Sequence, residues 1–211
     1  MALTPSTMIP LGTPAPEFSL PDVVSGQTIT LATFANQKAL LVMWICQHCP
    51  YVQHVKDELA RLGQDYARQS VGIVAMSAND AERYPDDAAP KLAAMAKALG
   101  FTFPFCYDQS QETAKAYSAA CTPDFFLFGA DRRLAYRGQL DDSRPGNGQP
   151  VTGRDLRAAI DALLTGRPVN PAQQPSIGCG IKWKPGQEPA YLSRPSAARP
   201  TPSGGGGARA S

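Results

Sequence analysis

Cys46 and Cys49 stand two residues apart in the run Trp44-Ile45-Cys46-Gln47-His48-Cys49-Pro50. At that spacing two sulfurs meet within one helical turn, so dithiol and disulfide interconvert with little backbone movement. The chemistry such a pair offers is thiol–disulfide exchange, in which a thiolate attacks a disulfide sulfur and a second thiol releases the mixed disulfide. Cys46 is the expected nucleophile, Cys49 the resolving thiol, and His48 between them a cationic neighbour that favours a thiolate. A structural disulfide or half of a metal site competes for the same spacing.

Position favours redox chemistry. Ala39-Leu40-Leu41-Val42-Met43-Trp44-Ile45 has the length and composition of a strand buried on both faces. Beyond the pair, Val52, Val55, Leu59, Leu62 and Tyr66 recur at steps of three and four, the stripe of an amphipathic helix. The cysteines therefore sit at a strand-to-helix junction, where unpaired N–H groups and the helix dipole lower a thiol's pKa. Pro50 suits a first helical turn, since the N–H it lacks would have no partner there.

Around this junction the sequence predicts a βαβ unit continued by connecting helices and a ββα end. Val71 to Met76 is a second buried strand, parallel to the first. A loop from Asn79 to Ala89 leads into a helix from about Pro90 that buries Leu92, Met95 and Leu99 and stops at Gly100. Phe101 to Phe105 alternates like a short edge strand, and Ser110 is placed to cap a short helix reaching Ala119. Phe125 to Phe128 and Leu134 to Gly138 form an antiparallel hairpin, and a helix capped by Thr152 buries Leu156, Ile160, Leu163 and Leu164. Ahead of the core, residues 1–24 are Pro-rich and extended, followed by a turn at Ser25-Gly26-Gln27 and a strand at Thr28 to Leu31 that suggest a hairpin.

With 211 residues, 43% hydrophobic and 18% charged, the chain holds one ordinary domain with a sizeable core. The formal charge of +2 is uneven: five basic residues and one acid lie from residue 182 onward, leaving residues 1–181 slightly acidic. Nothing in that balance suits a nucleic acid. No stretch approaches the roughly 18 apolar residues of a membrane span, and the start lacks the marks of a signal peptide. A cytoplasmic setting is expected, and five dispersed cysteines do not make a disulfide scaffold.

A Cys-x-x-Cys after the first core strand, with Thr122-Pro123 ahead of the terminal hairpin, resembles the thioredoxin fold over roughly residues 12–166. The resemblance implies an α/β fold with a central mixed sheet flanked by helices. It also implies a cis Pro123 packed against the active-site sulfurs, with Thr122 offering backbone hydrogen bonds to an extended substrate. Within that superfamily the chain is similar to the peroxiredoxin-like (AhpC/TSA and redoxin-related) subgroup. The similarity lies in Gly12 to Asp22, the Cys-x-His-Cys-Pro-Tyr-Val motif (Cys46 to Val52), Thr122 to Phe128, Arg137 to Pro145 and Pro175 to Cys179. Two departures matter. Thioredoxins bury an acid six residues before the first cysteine, where this chain has Leu40, so the proton relay must differ, with His48 or solvent in its place. In peroxiredoxins the peroxidatic cysteine aligns with Cys49 and is served by a Thr and a Pro where this chain has Cys46 and Val42, and by an Arg from a later strand, where the region before that strand here offers Pro123 and Asp124. Dithiol exchange is thereby favoured over peroxide reduction.

The expected function is a thiol–disulfide oxidoreductase acting on protein or small-molecule disulfides and recharged by a thiol electron donor. It needs no cofactor, metal, nucleic acid or membrane. A thiol peroxidase is the alternative, as is a metal-binding protein using Cys46, Cys49 and Cys121 or Cys179. Trp44 is equally suited to the core or, with Thr122 and Pro123, to the substrate groove. Cys121 and Cys179 are auxiliary thiols: Cys121 by its place beside Pro123, Cys179 as a possible third redox thiol on a segment that folds back, with simple docking the favoured reading. Cys106 is assigned to the core and His54 to the helix surface. The expected organisation is a domain over 1–170, a docking extension over 171–192 and a disordered tail over 193–211, whose Pro, Gly and Ser content cannot bury enough to order itself.

Overall fold

A computed structural model describes residues 3–193; the expected tail, beyond its first residue, lies outside the described residues. In chain order the elements are β1 (Leu3–Pro5), β2 (Ser19–Pro21), β3 (Thr28–Thr30), β4 (Ala39–Trp44), α1 (Pro50–Tyr66), β5 (Val71–Ser77), α2 (Ala89–Leu99) and β6 (Phe105–Tyr107). They continue with α3 (Glu112–Ala116), β7 (Cys121–Thr122), β8 (Asp124–Gly129), β9 (Leu134–Gly138), α4 (Arg154–Leu164) and β10 (Ile177–Gly180). Five strands form the central sheet in the order β6-β5-β4-β8-β9. β4 pairs parallel with β5 and antiparallel with β8, so the sheet is mixed. This is the thioredoxin fold.

Since β4 is central and both faces are covered, every one of its six residues is buried, which is why it reads as a continuous apolar run. Side chains alternate along it. Leu41 and Met43 join a core with α1, α2 and α4, through Val52, Val55, Leu59, Leu92, Leu156 and Ile160. Leu40, Val42 and Trp44 join the other core, with the β2–β3 hairpin, the residues around α3, and Ile181 and Trp183. Cys46, Cys49 and Cys179 belong to the first of these cores.

Several local expectations are corrected. The strand read at Phe101 to Phe105 begins only at Phe105. Pro104 has no N–H to donate, and Phe101 and Phe103 instead stack on each other with centroids 4.6 Å apart. The short helix after Ser110 ends at Ala116, not Ala119. Ahead of α4 the Thr152 hydroxyl accepts only the Arg154 N–H, at 3.3 Å. The main acceptor there is Asp141, whose carboxylate takes the N–H groups of Thr152 and Gly153, each at 2.6 Å.

The N-terminal segment holds a feature the sequence did not announce. β10 pairs antiparallel with β1 on one side and with β7 on the other, giving a second sheet in the order β1-β10-β7. β1 and β10, far apart in sequence, thus meet beside the strand that precedes Pro123.

Candidate functional site

β4 delivers Cys46 at the end of the central sheet, and Cys49 caps the N-terminus of α1 with Pro50 as its first residue. The Thr122–Pro123 bond is cis. Thr122 touches both sulfurs: its hydroxyl lies 3.3 Å from Cys46 Sγ, and its carbonyl accepts the Cys49 thiol at 3.1 Å. Both cysteines are fully buried, and all five in the chain are unpaired.

The charge distribution departs from the expectation that Cys46 carries the thiolate. Cys49 is the residue pulled down, to about 4, chiefly because the Cys46 thiol donates to it. The Cys179 thiol, the Thr122 hydroxyl and the Val52 N–H add further donors, and together they outweigh the cost of burial. Cys46 is pushed well above the ordinary thiol range by donating to Cys49, by burial and by the negative charge of Asp87. Position acts in the same direction: Cys49 occupies the N-cap of α1, where the helix dipole favours a thiolate, and Cys46 lies outside it near a carboxylate.

Asp87, at the end of a single 3-10 turn, is fully buried and organises the motif loop. Its carboxylate accepts the N–H groups of Gln47 and His48 at 2.8 and 3.1 Å and the Asn79 amide at 2.7 Å, and it pairs with His48 Nδ1. His48 stacks on Tyr84, and its Nε2 has no hydrogen-bond partner. Cys46 Sγ, a His48 ring nitrogen and an Asp87 oxygen lie within 4.8 Å of one another. Three such donors could face a cation, but the carboxylate is already occupied by four donors and a structural zinc takes four ligands. The cluster therefore suits orientation of the imidazole better than metal binding. Neither Cys121 nor Cys179, named in the metal reading, belongs to it.

On the other side of Pro123, Asp124 and Arg137 form a fully buried, two-pronged ion pair, with Arg137 Nη2 donating to Asp124 Oδ2 at 2.9 Å. The guanidinium lies 3.6 Å over the Phe126 ring. Arg137 is therefore committed to Asp124.

The remaining assignments divide. Trp44 is fully buried and packs edge-on against Tyr117 in the core opposite the cysteines, which corrects its placement in a substrate groove. Cys106 is a core residue, its thiol pushed up to about 12 by burial. Cys121 is buried and held well above the ordinary range by burial and by Asp124, and its thiol donates to the Pro123 carbonyl at 3.7 Å. His54 is not a free surface residue: its Nε2 lies 2.7 Å from the Ser143 hydroxyl. Cys179, by contrast, shares a core with the pair and lies opposite Thr122 across β7 and β10. Asp87, Asn79, Asp124 and Arg137 were not singled out from the sequence. An acid-rich loop following β5 was the available signal, because loops at the carboxyl end of adjacent parallel strands face the same crevice. A cleft of about 670 Å³ between α4 and residues 167–174 includes none of the cysteines.

Comparison with known proteins places this geometry. A conserved protein of Geobacillus kaustophilus is 54% identical, with a TM-score of 0.86 over 88% of this chain and 98% of its own. One from Sinorhizobium meliloti is 51% identical, with a TM-score of 0.85 over 87% and 100%. A thiol:disulfide interchange protein of the thioredoxin family from Chlorobium tepidum shares the fold at 17% identity, with a TM-score of 0.56 over 74% and 99%. No curated protein matches the chain. The family model for Redoxin matches residues 10–156, from the segment before β2 through the start of α4, and the chain belongs to the Redoxin family, a thioredoxin-like redox family.

Proposed function

We propose that the chain is a thiol–disulfide oxidoreductase that uses Cys46 and Cys49 on a protein or small-molecule disulfide. The observation that carries this reading is Thr122, held next to cis Pro123 with one oxygen on each sulfur of a vicinal pair. Cys49 thiolate attacks one sulfur of the substrate disulfide, a mixed disulfide forms, and the other substrate sulfur leaves as a thiolate. Cys46 then attacks Cys49, passing its proton to His48, and the second substrate sulfur leaves as a thiolate. Two electrons pass to the substrate and a Cys46–Cys49 disulfide remains, to be reduced by a thiol donor. The Asp87 contact to Nδ1 supports the relay by leaving Nε2 free to take the proton. In this mechanism the roles of Cys46 and Cys49 are exchanged relative to the sequence reading.

The setting we propose is cytoplasmic, and the five unpaired cysteines support it. Among the described residues no helix is long and apolar enough to cross a membrane.

The test is insulin-disulfide reduction with wild type, Cys46→Ser and Cys49→Ser. Cys49→Ser should abolish turnover, and Cys46→Ser should lower it sharply, because the thiol that closes the pair is gone; full activity in either variant would sink the mechanism. One observation favours thiol peroxidase as a second reading: both sulfurs are fully buried, which suits a small oxidant. Rapid, saturable peroxide consumption with sulfenate on Cys49 would select it.

A further inference from the structure

The strand that seals the pair carries a thiol of its own. β10 lies between β1 and β7 with Cys179 opposite Leu3 on one side and Thr122 on the other. Its docking depends on two glycines. A Cβ on Gly178 would drive into the Thr122 carbonyl and Pro123 nitrogen, and one on Gly180 would stand 3.0 Å from the Thr4 hydroxyl. The flanks are fixed as firmly. Ser6 N–H donates to the Ser176 carbonyl at 2.8 Å, Ile181 N–H to Ala120 at 3.1 Å, and Lys182 N–H to Asn79 Oδ1 at 2.8 Å. That last contact joins the segment to Asp87 through the same Asn79 side chain. Ile181 and Trp183 are buried beyond it.

A segment docked only for stability would place any apolar residue over Cys49. This one places a third thiol there, in one core with Cys46 and Cys49 and paired across the strand with Thr122, the residue that touches both sulfurs. We propose that Cys179 is a redox thiol that exchanges with the pair, forming a Cys49–Cys179 disulfide within the chain.

Resting on the dithiol reading above, the step begins from the Cys46–Cys49 disulfide left by a substrate. Cys179 sulfur attacks Cys49 sulfur; the Cys49–Cys179 bond forms and the Cys46–Cys49 bond breaks. Cys46 leaves as a thiolate and takes up the proton that Cys179 gives up. One disulfide replaces another, so no external oxidant is consumed. In the reduced protein Cys179 is silent: burial first, then the charge on Cys49, hold its thiol up at about 12. Oxidation of Cys49 removes its hydrogen bond and its charge, the smaller causes, so attack by Cys179 is favoured only after Cys49 has reacted. The result is a disulfide stored on the C-terminal strand, with Cys46 again a free thiol.

The test uses the full chain carrying Cys46→Ser, treated with glutathione and glutathione disulfide, each at about 0.1 mM, quenched with acid, alkylated and mapped as peptides under non-reducing conditions. A neighbouring thiol within one fold competes at an effective concentration on the order of millimolar. The Cys49–Cys179 peptide should therefore exceed the Cys49–glutathione adduct by about tenfold. Adding Gly178→Ala should lower that ratio by lifting β10 from Thr122, with a melting curve confirming that the variant folds. If Gly178→Ala fails to fold, Gly180→Ala, whose Cβ presses on β1 and not on the sulfurs, serves as the second perturbation and should lower the ratio less. A glutathione adduct on Cys49 with Cys179 fully alkylated overturns the proposal. In wild type, insulin reduction with Cys46–Cys49 formed and no Cys179 crosslink in either protein sinks this proposal alone. A Cys49–Cys179 crosslink without insulin reduction sinks the oxidoreductase reading alone.

Discussion

Two buried carboxylates flank the cysteines, and they are built differently. Asp124 is closed off: its partner Arg137 is equally buried, meets it with two nitrogens, and lies over Phe126. Asp87 is open toward the chemistry: its partner is an imidazole whose second nitrogen has no hydrogen-bond partner and whose side chain is 16% exposed. A guanidinium does not give up its proton, so the first pair holds shape only. An imidazole can accept a proton and give it up again, so the second can serve a reaction. A buried ion pair next to a thiol site is thus no sign of catalysis until the partner's capacity to titrate is considered.

The sharpest way to break this contrast is to remove one partner of the closed pair. Arg137→Met leaves Asp124 buried without a counter-charge and should cost about 3–5 kcal/mol in urea unfolding. The double variant Arg137→Met with Asp124→Leu should regain most of it, because the desolvated charge is then gone. A small loss in the single variant would mean that Asp124 finds water, and the contrast would fail.

The open pair should respond in rate and not in stability. His48→Gln should slow resolution of the Cys49 mixed disulfide by about 100-fold, the lower end for loss of a general base. The slowing is read in single-turnover stopped flow. A stability loss as large as that of Arg137→Met, with an unchanged rate, would make His48 structural.

A smaller effect is expected on the thiolate itself. Cys46→Ala removes the largest of the donors that hold Cys49 down near 4. The midpoint for alkylation of Cys49 should move up by about one pH unit, about 1.4 kcal/mol. The sign for stability follows. A thiol with a depressed native pKa stabilises the fold most above the unfolded value near 9, and that contribution is lost as pH falls through the native value near 4. Wild type should therefore lose more stability than Cys46→Ala on titration from pH 9 to 4, measured by urea melts.

The smallest effect serves as the control. His54→Gln loses the 2.7 Å contact to Ser143 and should cost about 1 kcal/mol with turnover unchanged.

Legibility followed from how local each feature is. The motif, its strand and its helix depend on spacing alone, so β4, α1 and their junction could be read from residues 39–66. Trp44 was ambiguous because a continuous apolar run does not say which face is which; pairing with Phe125 to Gly129 settles that by sending even-numbered residues of β4 away from the sulfurs. Arg137 was opaque for a different reason. A register shift between Leu127 and Phe128 lets Leu134 and Tyr136, two residues apart, enter different cores. Alternation counted along β9 therefore misplaces its side chains. The thiolate's position needed three dimensions as well, because Asp87 and Cys179 reach the pair from elsewhere in the chain.

The pairing of Leu3 with Cys179 bears on the order in which the protein matures. β10 is contributed by nearly the last described residues, and its partners lie at the first strand and at β7, so these contacts have very long loops to close. During synthesis the central sheet and the helix behind Cys49 can form while residues 177–180 are still within the ribosome. A newborn chain then presents a capped, acidic thiol with no cover, and the cover arrives with the final strand. Emergence of β10 from the ribosome is thus the event that seals the pair. Pulse-labelling of ribosome-bound chains with a thiol reagent should find Cys49 reactive until β10 emerges and protected thereafter.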